Sequence, residues 1–371
     1  MELPESDEVD VARLSACFEH TTLAYKFYWF LAILDAVKRN TGSIIPYEDI
    51  ALRMFVTVWY PLDFYRLSFG KKDGFDRIRG YVLERAKIDN SRKAPHIFSQ
   101  LNTQLSDTEL KSINDMARKE LIRYVPYYFL TPFLEGLIEK EPKYSRIEEV
   151  TNQYFKTHSH QVIYRIINGS IELNPKWVEY LHKHLLILEG FTKWNLVQFL
   201  QKNNPNVAAI SEKLEKSVAG RDFKKAKPFW SKYLASIPEL ICIYSGQVIT
   251  EENISLDHYI PFSYVAHDQI WNLIPTTPAV NSSKNNRLPN NSLYFDRFAK
   301  LQYDVFQFYA KSGQTKLLED YSILFRESTN TIQQNDFLWF SKQLRLMVEP
   351  QLQTARNMGF AFDFVYKNPL I

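Results

Sequence analysis

The sequence contains few of the residues on which several common kinds of site depend. It has 2 cysteines and 11 glycines in 371 residues. Cys17 and Cys242 are too few for a disulfide framework or a four-thiolate zinc site. No two glycines have the spacing GxG, and no GKS or GKT triplet occurs. Because Rossmann and P-loop phosphate sites need glycine at such spacings, we expect no nucleotide cofactor.

Long hydrophobic runs are also missing. The longest apolar run, FYWFLAIL at 27–34, has 8 residues, whereas a membrane span needs about 20. The first ten residues carry no basic side chain, unlike the basic start of a secretory signal. We therefore expect a flexible acidic terminus at 1–10, no membrane partner and a cytoplasmic protein. The acidic residues of this terminus are Glu2, Glu5, Asp7, Glu8 and Asp10.

Aromatic residues, by contrast, are abundant, with 26 Phe, 22 Tyr and 7 Trp. Hydrophobic residues make up 45% of the chain and charged residues 23%, which is ordinary for a globular protein. The aromatic side chains fall in stripes with helical spacing. Large aromatic residues in such stripes are usually buried, so we expect them in a core rather than on a base-stacking surface.

Apolar periodicity predicts a mainly α-helical protein. The pair Asn168-Gly169 lies between two β-prone segments and predicts a hairpin. Around 238–290 the chain becomes rich in Asn, Ser, Thr and Pro, with short β-prone runs. We therefore predict an α+β fold, in which a small module is inserted between helical regions. The predicted domains are 11–235, 236–292 and 293–371, and the predicted helices are 23–37, 47–58, 106–123, 127–140, 146–157, 175–201, 292–311, 314–326 and 334–358.

The module contains polar residues at spacings that suit hydrolysis. Asp257 and His258 lie together at the end of the predicted strand ISLDHYI. Thr277 followed by proline is a helix start, which places Asn281 in the first turns of a short helix. Carboxylate and amide oxygens, here from Asp257 and Asn281, suit a hard divalent cation. Neutral His258 beside that cation would accept a proton from an attacking water, which fits phosphodiester hydrolysis.

The segment resembles the HNH, or ββα-metal, endonuclease module. Its spacing is especially similar to the HNH module of the RNA-guided CRISPR effector nucleases. The stretch at 24–39 also resembles helical segments of HNH proteins of the restriction or anti-phage type. The matching motifs are CIYSG at 242–246, LDH at 256–258, Pro261, Asn272-Leu273 and NSSK at 281–284.

This resemblance implies a role for each matched residue. His258 would be the general base, and Asp257 with Asn281 would hold one divalent cation, Mg²⁺ or Mn²⁺. Asn272 would fix the loop that orients His258. Lys284 would match the basic position that meets a phosphate. Many HNH modules also bind a structural zinc through four cysteines, but only Cys242 remains here, so we expect no structural zinc and a module held by packing.

The resemblance implies a metal-dependent endonuclease that cuts DNA, in prokaryotic defence or restriction. A single HNH site cuts one strand at a time, so cleavage of both strands would need two copies, as in a homodimer, or a partner protein. RNA is an alternative substrate, as in a toxin-like nuclease, because a phosphate-centred site does not itself read the sugar. A non-catalytic binding or scaffold protein is a further alternative. The chain is too short for a guide-RNA channel.

A basic run precedes the module. It is a candidate for binding the phosphate backbone of nucleic acid, and Asn285, beside the predicted ligands, is another. The run would equally suit a solvated helix face. Its candidate binding residues are Lys216, Arg221, Lys224, Lys225 and Lys227.

Overall fold

The structure, a computed structural model, describes residues 2–19, 21–70, 73–89, 94–139, 142–158, 160–215 and 222–367. The chain divides into two compact units, Met1–Lys216 and Ser217–Ile371. Across the described residues it is mainly helical, with three small antiparallel sheets, which confirms the α+β fold class. No helix in this part of the chain is both long enough and apolar enough to cross a membrane.

The first unit contains ten α-helices and one sheet within its described residues. The strand order in the sheet is β1-β3-β2, and both pairings are antiparallel. The strands are β1 (Ile44–Pro46), β2 (Tyr164–Ile167) and β3 (Ser170–Leu173). The helices are α1 (Val11–Ala16), α2 (Tyr25–Lys38), α3 (Tyr47–Trp59), α4 (Phe75–Leu83), α5 (Ala94–Gln104), α6 (Asp107–Ala117), α7 (Val125–Tyr128), α8 (Tyr144–Thr157), α9 (Pro175–Lys183) and α10 (Leu185–Asn203).

Helix α2 lies at the centre of this unit. Ten of its 14 residues are buried, because apolar side chains cover nearly its whole circumference. Helix α3 packs against it and begins directly after Pro46. Asn168 and Gly169 have φ angles of 41° and 77° and close the β2–β3 hairpin, as the sequence predicts.

Two predicted helices of the first unit are interrupted. The helix predicted over 127–140 is instead α7 followed by a short 3₁₀ turn at Thr131–Leu134. Pro132 lies at this interruption, where proline removes a backbone donor and disfavours helical geometry in the residue before it. The helix predicted over 175–201 is divided at His184 into α9 and α10.

The amino-terminal segment packs against the rest of the first unit. Leu3 and Val9 are buried, and the Tyr180 hydroxyl donates a hydrogen bond of 2.7 Å to the carbonyl oxygen of Pro4. The acidic side chains between these apolar residues remain largely exposed. The described part of this terminus is therefore anchored, where its charge alone predicted a flexible segment.

The second unit contains the predicted module and the helices after it. Two strand pairs, β4 with β5 and β6 with β7, are both antiparallel. The strands are β4 (Leu240–Ile241), β5 (Val248–Ile249), β6 (Ser255–His258) and β7 (Leu273–Thr276). The helices are α11 (Ala226–Leu234), α12 (Phe262–Val265), α13 (Pro278–Lys284), α14 (Asn291–Lys311), α15 (Glu319–Phe325), α16 (Thr329–Gln334) and α17 (Phe337–Asn357).

One hydrophobic core runs through this unit from Ala226 to Phe364 and includes residues of the module and of the carboxyl-terminal helices. Hydrogen bonds link the same two parts. The Gln302 side chain on α14 donates to the carbonyl oxygen of Leu273 at 3.0 Å, and Asp320 on α15 accepts from the backbone N–H of Ile270 at 2.7 Å. The helices thus fix the strands and the loop between them.

Candidate functional site

Strand β6 and helix α13 bring two of the predicted site residues together. The Thr277 hydroxyl accepts a hydrogen bond from the backbone N–H of Val280 and caps α13, as predicted. This start places Asn281 beside β6. The Asn281 amide nitrogen donates to the Ser255 hydroxyl at 2.8 Å and to the carbonyl oxygen of Leu256 at 3.0 Å. Both bonds use amide hydrogens, so the side-chain oxygen is the atom of Asn281 suited to a cation.

Asp257 lies at the end of β6, and its carboxylate is almost fully buried. The Lys284 ammonium is 3.0 Å from Asp257 Oδ2 and donates to the carbonyl oxygen of His258 at 2.6 Å. The contact with Asp257 is an ion pair outside hydrogen-bond alignment. Burial, and then the neighbouring charge of Asp257, raise the pKa of Tyr244 well above its usual value, so this phenol stays protonated beside the carboxylate.

Lys284 is placed differently from a residue that meets a phosphate. Its side chain is 0% exposed and lies beneath the end of β6. An ammonium in this position compensates the buried charge of Asp257. The structure therefore gives Lys284 a contact with the predicted metal ligand rather than an exposed position over the pocket.

A pocket of about 410 Å³ opens over these residues. It contains both proposed metal ligands, the predicted base and Asn285, which is exposed at the end of α13. The polar side chains that line it are those of Ser255, Asp257, His258, Asn281, Ser282, Asn285 and Asn286.

The donor chemistry of this pocket fits a hard divalent cation. Asp257 supplies a carboxylate and Asn281 an amide oxygen, which are ligands that Mg²⁺ accepts. No group of three or more His, Cys, Asp or Glu residues suited to a metal occurs in the part of the chain that the structure describes. Two protein ligands suffice for Mg²⁺, which usually keeps several waters and takes its remaining ligands from substrate phosphate.

His258 is buried at the wall of the pocket, and its imidazole contacts two aromatic rings. The ring centroids of Phe262 and Phe223 lie 5.4 Å and 5.9 Å from that of His258. His258 Nε2 is 2.8 Å from Asp268 Oδ1. These contacts restrict the rotation of the ring about its side-chain bonds.

Asn272 is buried and ties the chain directly after His258 to the start of β7. Its side-chain oxygen accepts from the backbone N–H of Ile260 at 2.8 Å, and its amide nitrogen donates to the carbonyl oxygen of the same residue at 2.9 Å. The backbone oxygen of Asn272 also accepts from the N–H of Tyr259. This position suits the loop-fixing role that the resemblance implies for Asn272.

Sequence reasoning missed Asp268. It follows His258 by ten residues in an irregular loop, outside the matched motifs, and no spacing rule connects the two. Its second oxygen, Oδ2, accepts from the backbone N–H of Asp222 at 2.7 Å. The segment that precedes the module is therefore bound to the same carboxylate as the imidazole.

This contact brings part of the predicted basic run near the pocket. Phe223 contacts the His258 ring, and the next residues along the chain include Lys224, Lys225 and Lys227, all exposed. The other two candidates of the run, Lys216 and Arg221, lie outside the described residues.

A comparison with family models finds a match to the HNH endonuclease family over residues 242–290. No curated protein and no solved structure matches the chain significantly. The matched segment begins at Cys242, spans β5, β6, β7 and α13, and contains every residue that lines the pocket. Over residues 242–290 the chain therefore belongs to the HNH endonuclease superfamily.

Proposed function

We propose that this protein is a metal-dependent endonuclease that cuts DNA, with a role in prokaryotic defence or restriction. The observation that carries the proposal is that Asp257, His258 and Asn281 line one pocket of about 410 Å³ within an HNH module. Together they provide a base and two oxygen ligands in a cavity open to a phosphodiester.

Each of these residues has a distinct part in the reaction. His258, in its neutral form, takes the proton of the attacking water. Asp257 and Asn281 hold the divalent cation, which we propose is Mg²⁺ or Mn²⁺. When bound, the cation offsets the negative charge that develops on the phosphate and on the leaving oxygen. Lys284 compensates the charge of Asp257 and holds its carboxylate in place, and Asn272 ties the chain after His258 to the start of β7.

The exposed lysines near the pocket support nucleic acid as the substrate. Lys224, Lys225 and Lys227 follow Phe223, which contacts the imidazole. Cations beside a hydrolytic pocket favour a polyanion as the substrate, and contacts of this kind are independent of base sequence. RNA remains the alternative substrate, since these groups act on phosphate and not on the sugar. The intact base and ligand set favours catalysis over a role as a scaffold.

A panel of substrates tests the proposal. Purified protein is incubated with supercoiled plasmid, linear duplex DNA, single-stranded DNA and RNA, each with Mg²⁺, Mn²⁺ or EDTA. We expect cleavage of DNA that depends on the cation and is lost in His258→Ala. Cleavage of RNA alone would favour the toxin-like alternative, and binding without cleavage of any substrate would favour the scaffold.

Other features of the proposal rest on the sequence. The absence of a structural zinc stays a prediction, based on Cys242 having no second cysteine within the module. A homodimer or a partner protein of a defence system, and a cytoplasmic location, are likewise part of the proposal. Two copies of the site would allow both strands of a duplex to be cut.

A further inference from the structure

We propose that Asp268 is a positioning residue for His258, which selects the tautomer and the orientation of the imidazole. This inference deepens the proposed function and rests on it for the role of His258. It starts from the 2.8 Å contact between His258 Nε2 and Asp268 Oδ1. Both side chains are well shielded, with exposed fractions of 3% for His258 and 14% for Asp268.

The carboxylate of Asp268 is itself held in place. One oxygen faces the imidazole, and the other accepts the backbone N–H of Asp222 at 2.7 Å. Because both oxygens are engaged, rotation of the carboxylate would break a hydrogen bond on either side. Asp268 therefore presents a fixed acceptor to the ring.

A fixed acceptor determines which ring nitrogen carries the proton. A carboxylate only accepts hydrogen bonds, so it favours the neutral tautomer with the proton on Nε2. Nδ1 is then the nitrogen with a lone pair, and it is the atom that can take a proton from water. A carboxylate paired with a catalytic histidine plays the same orienting part in other hydrolases.

The aromatic neighbours complete the arrangement. Phe262, on α12, approaches the imidazole edge-on, and Phe223 lies at a tilt on the segment bound by Asp268. The rings limit the swing of the imidazole, and Asp268 fixes its rotation about the last side-chain bond. Asp268 thus acts through His258 and has no assigned contact with the substrate.

A role for Asp268 in anchoring the loop alone would have different consequences. Loss of such an anchor would lower stability and would disturb the pocket generally, including substrate binding. Loss of a positioning contact would change the proton distribution on His258 and lower kcat at nearly constant KM. Asp268→Asn separates the two roles, because its oxygen can still accept the Asp222 N–H while its amide group can donate to the imidazole and favour the other tautomer.

The experiment uses the full chain with ¹⁵N-labelled histidine and follows the side-chain nitrogens by NMR at pH 8. His258→Ala identifies the resonances of His258 among the eight histidines. We expect the Nε2–H tautomer in the unmutated protein and a shift toward Nδ1–H in Asp268→Asn. The matched control is Asp296→Asn, the same change at a carboxylate that is 84% exposed and paired with Arg345. It should leave the His258 signals unchanged.

Cleavage kinetics of the same proteins give the second measurement. We expect Asp268→Asn to lower kcat by about 10–100-fold, as is common when the partner of a functional histidine is removed, with KM within about twofold. An Nδ1–H tautomer in the unmutated protein, or an unchanged kcat in Asp268→Asn, would overturn the inference. If the unmutated protein cuts no nucleic acid, the proposed function fails, and the NMR result alone then supports or overturns the pairing.

Discussion

Two contacts between side chains hold the proposed metal ligand Asp257 and the proposed base His258 in place. Lys284 compensates the charge of Asp257, while Asp268 faces the imidazole of His258. Removing one member of a buried charged pair leaves the other uncompensated, at a cost of about 3–5 kcal/mol. Asp257→Ala would therefore combine loss of a metal ligand with loss of stability. Asn281 carries no charge and is the better position at which to test metal binding.

Replacement of Asn281 should change the response to metal. In Asn281→Ala the cation loses one oxygen ligand, so we expect the Mg²⁺ or Mn²⁺ concentration for half-maximal cleavage to rise by at least about tenfold. Excess metal should restore part of the rate. His258→Ala should show no such recovery, because extra cation does not replace a base. A cleavage titration over metal concentration measures both, and equal recovery in the two variants would contradict the division of roles.

Asp73 in the first unit predicts a dependence of stability on pH. Burial is the main cause that raises the pKa of Asp73 to about 6 from an ordinary value of 3.8. Between these values the folded protein holds a proton that the unfolded chain releases. The free energy of unfolding should therefore decrease as the pH rises from about 4 to about 6, and Asp73 should cost about 1–3 kcal/mol at pH 7.

Asp73→Asn tests this dependence. Its oxygen can still accept the backbone N–H of Phe75, which Asp73 binds at 3.1 Å. We expect the variant to be more stable than the unmutated protein at pH 7 and no more stable near pH 4, as measured by urea unfolding. Asp296→Asn, at a side chain in the second unit that is 84% exposed, is the control and should not alter the pH profile. If the free energy of unfolding of Asp73→Asn had the same pH dependence as that of the unmutated protein, the assignment to Asp73 would be wrong.

The residues of the site that follow a local pattern could be predicted from the sequence. Asp257 and His258 end a strand, and Asn281 follows a capped helix start, so short-range rules place each on its element. Asp268 could not be found in this way, because its contact with His258 depends on how an irregular loop folds back. The burial of Lys284 likewise depends on tertiary packing beneath β6.

The elements of the second unit explain how a module with one cysteine is held together. Helices α14 and α15 bind the loop and strand β7 through Gln302 and Asp320, and a shared core extends from α11 through the module. The sequence predicts the helices around the module, but the particular hydrogen bonds arise only when the helices pack.

The segment at 222–227 predicts a salt dependence of nucleic-acid affinity. Lysines that bind phosphate release counterions, which gives a log–log slope of about −0.9 per phosphate neutralised on duplex DNA. Replacing Lys224, Lys225 and Lys227 by alanine should flatten the slope by about 0.9 for each phosphate that the variant no longer neutralises, and should weaken all sequences alike. Binding by catalytically inactive His258→Ala protein at several salt concentrations measures this slope.

A matched triple variant controls for the loss of charge. Lys311, Lys316 and Lys342 are exposed on the carboxyl-terminal helices or the turns between them, and their replacement removes the same formal charge. We expect a slope close to that of the parent protein. Equal slopes in both triple variants would mean that the segment at 222–227 is a solvated surface.

The two compact units differ in how they contribute to the proposed activity. All residues of the pocket, and the core beneath them, belong to Ser217–Ile371. The first unit has its own buried centre in α2. The aromatic side chains of this unit are used mainly for packing.

This division predicts that the second unit folds independently. A fragment of residues 217–371 contains a complete core and both strand pairs, so we expect a cooperative thermal transition and helical circular dichroism. We also expect it to retain cleavage activity with Mg²⁺. The full chain carrying His258→Ala is the control for contaminating nuclease. A fragment that lacks a cooperative transition would show that the unit depends on the first one for stability.

The most direct test of the proposed catalytic pocket is single-turnover cleavage of supercoiled plasmid by the full chain and by His258→Ala, with Mg²⁺ and with EDTA. We predict nicking by the unmutated protein with Mg²⁺ only, and a rate about 10²–10⁴-fold lower in His258→Ala, as expected for loss of a general base. DNA affinity of the variant should be nearly unchanged, and the variant should retain a cooperative thermal transition. Cleavage by His258→Ala at the rate of the unmutated protein would contradict the assignment, because the pocket would then not be the catalytic site.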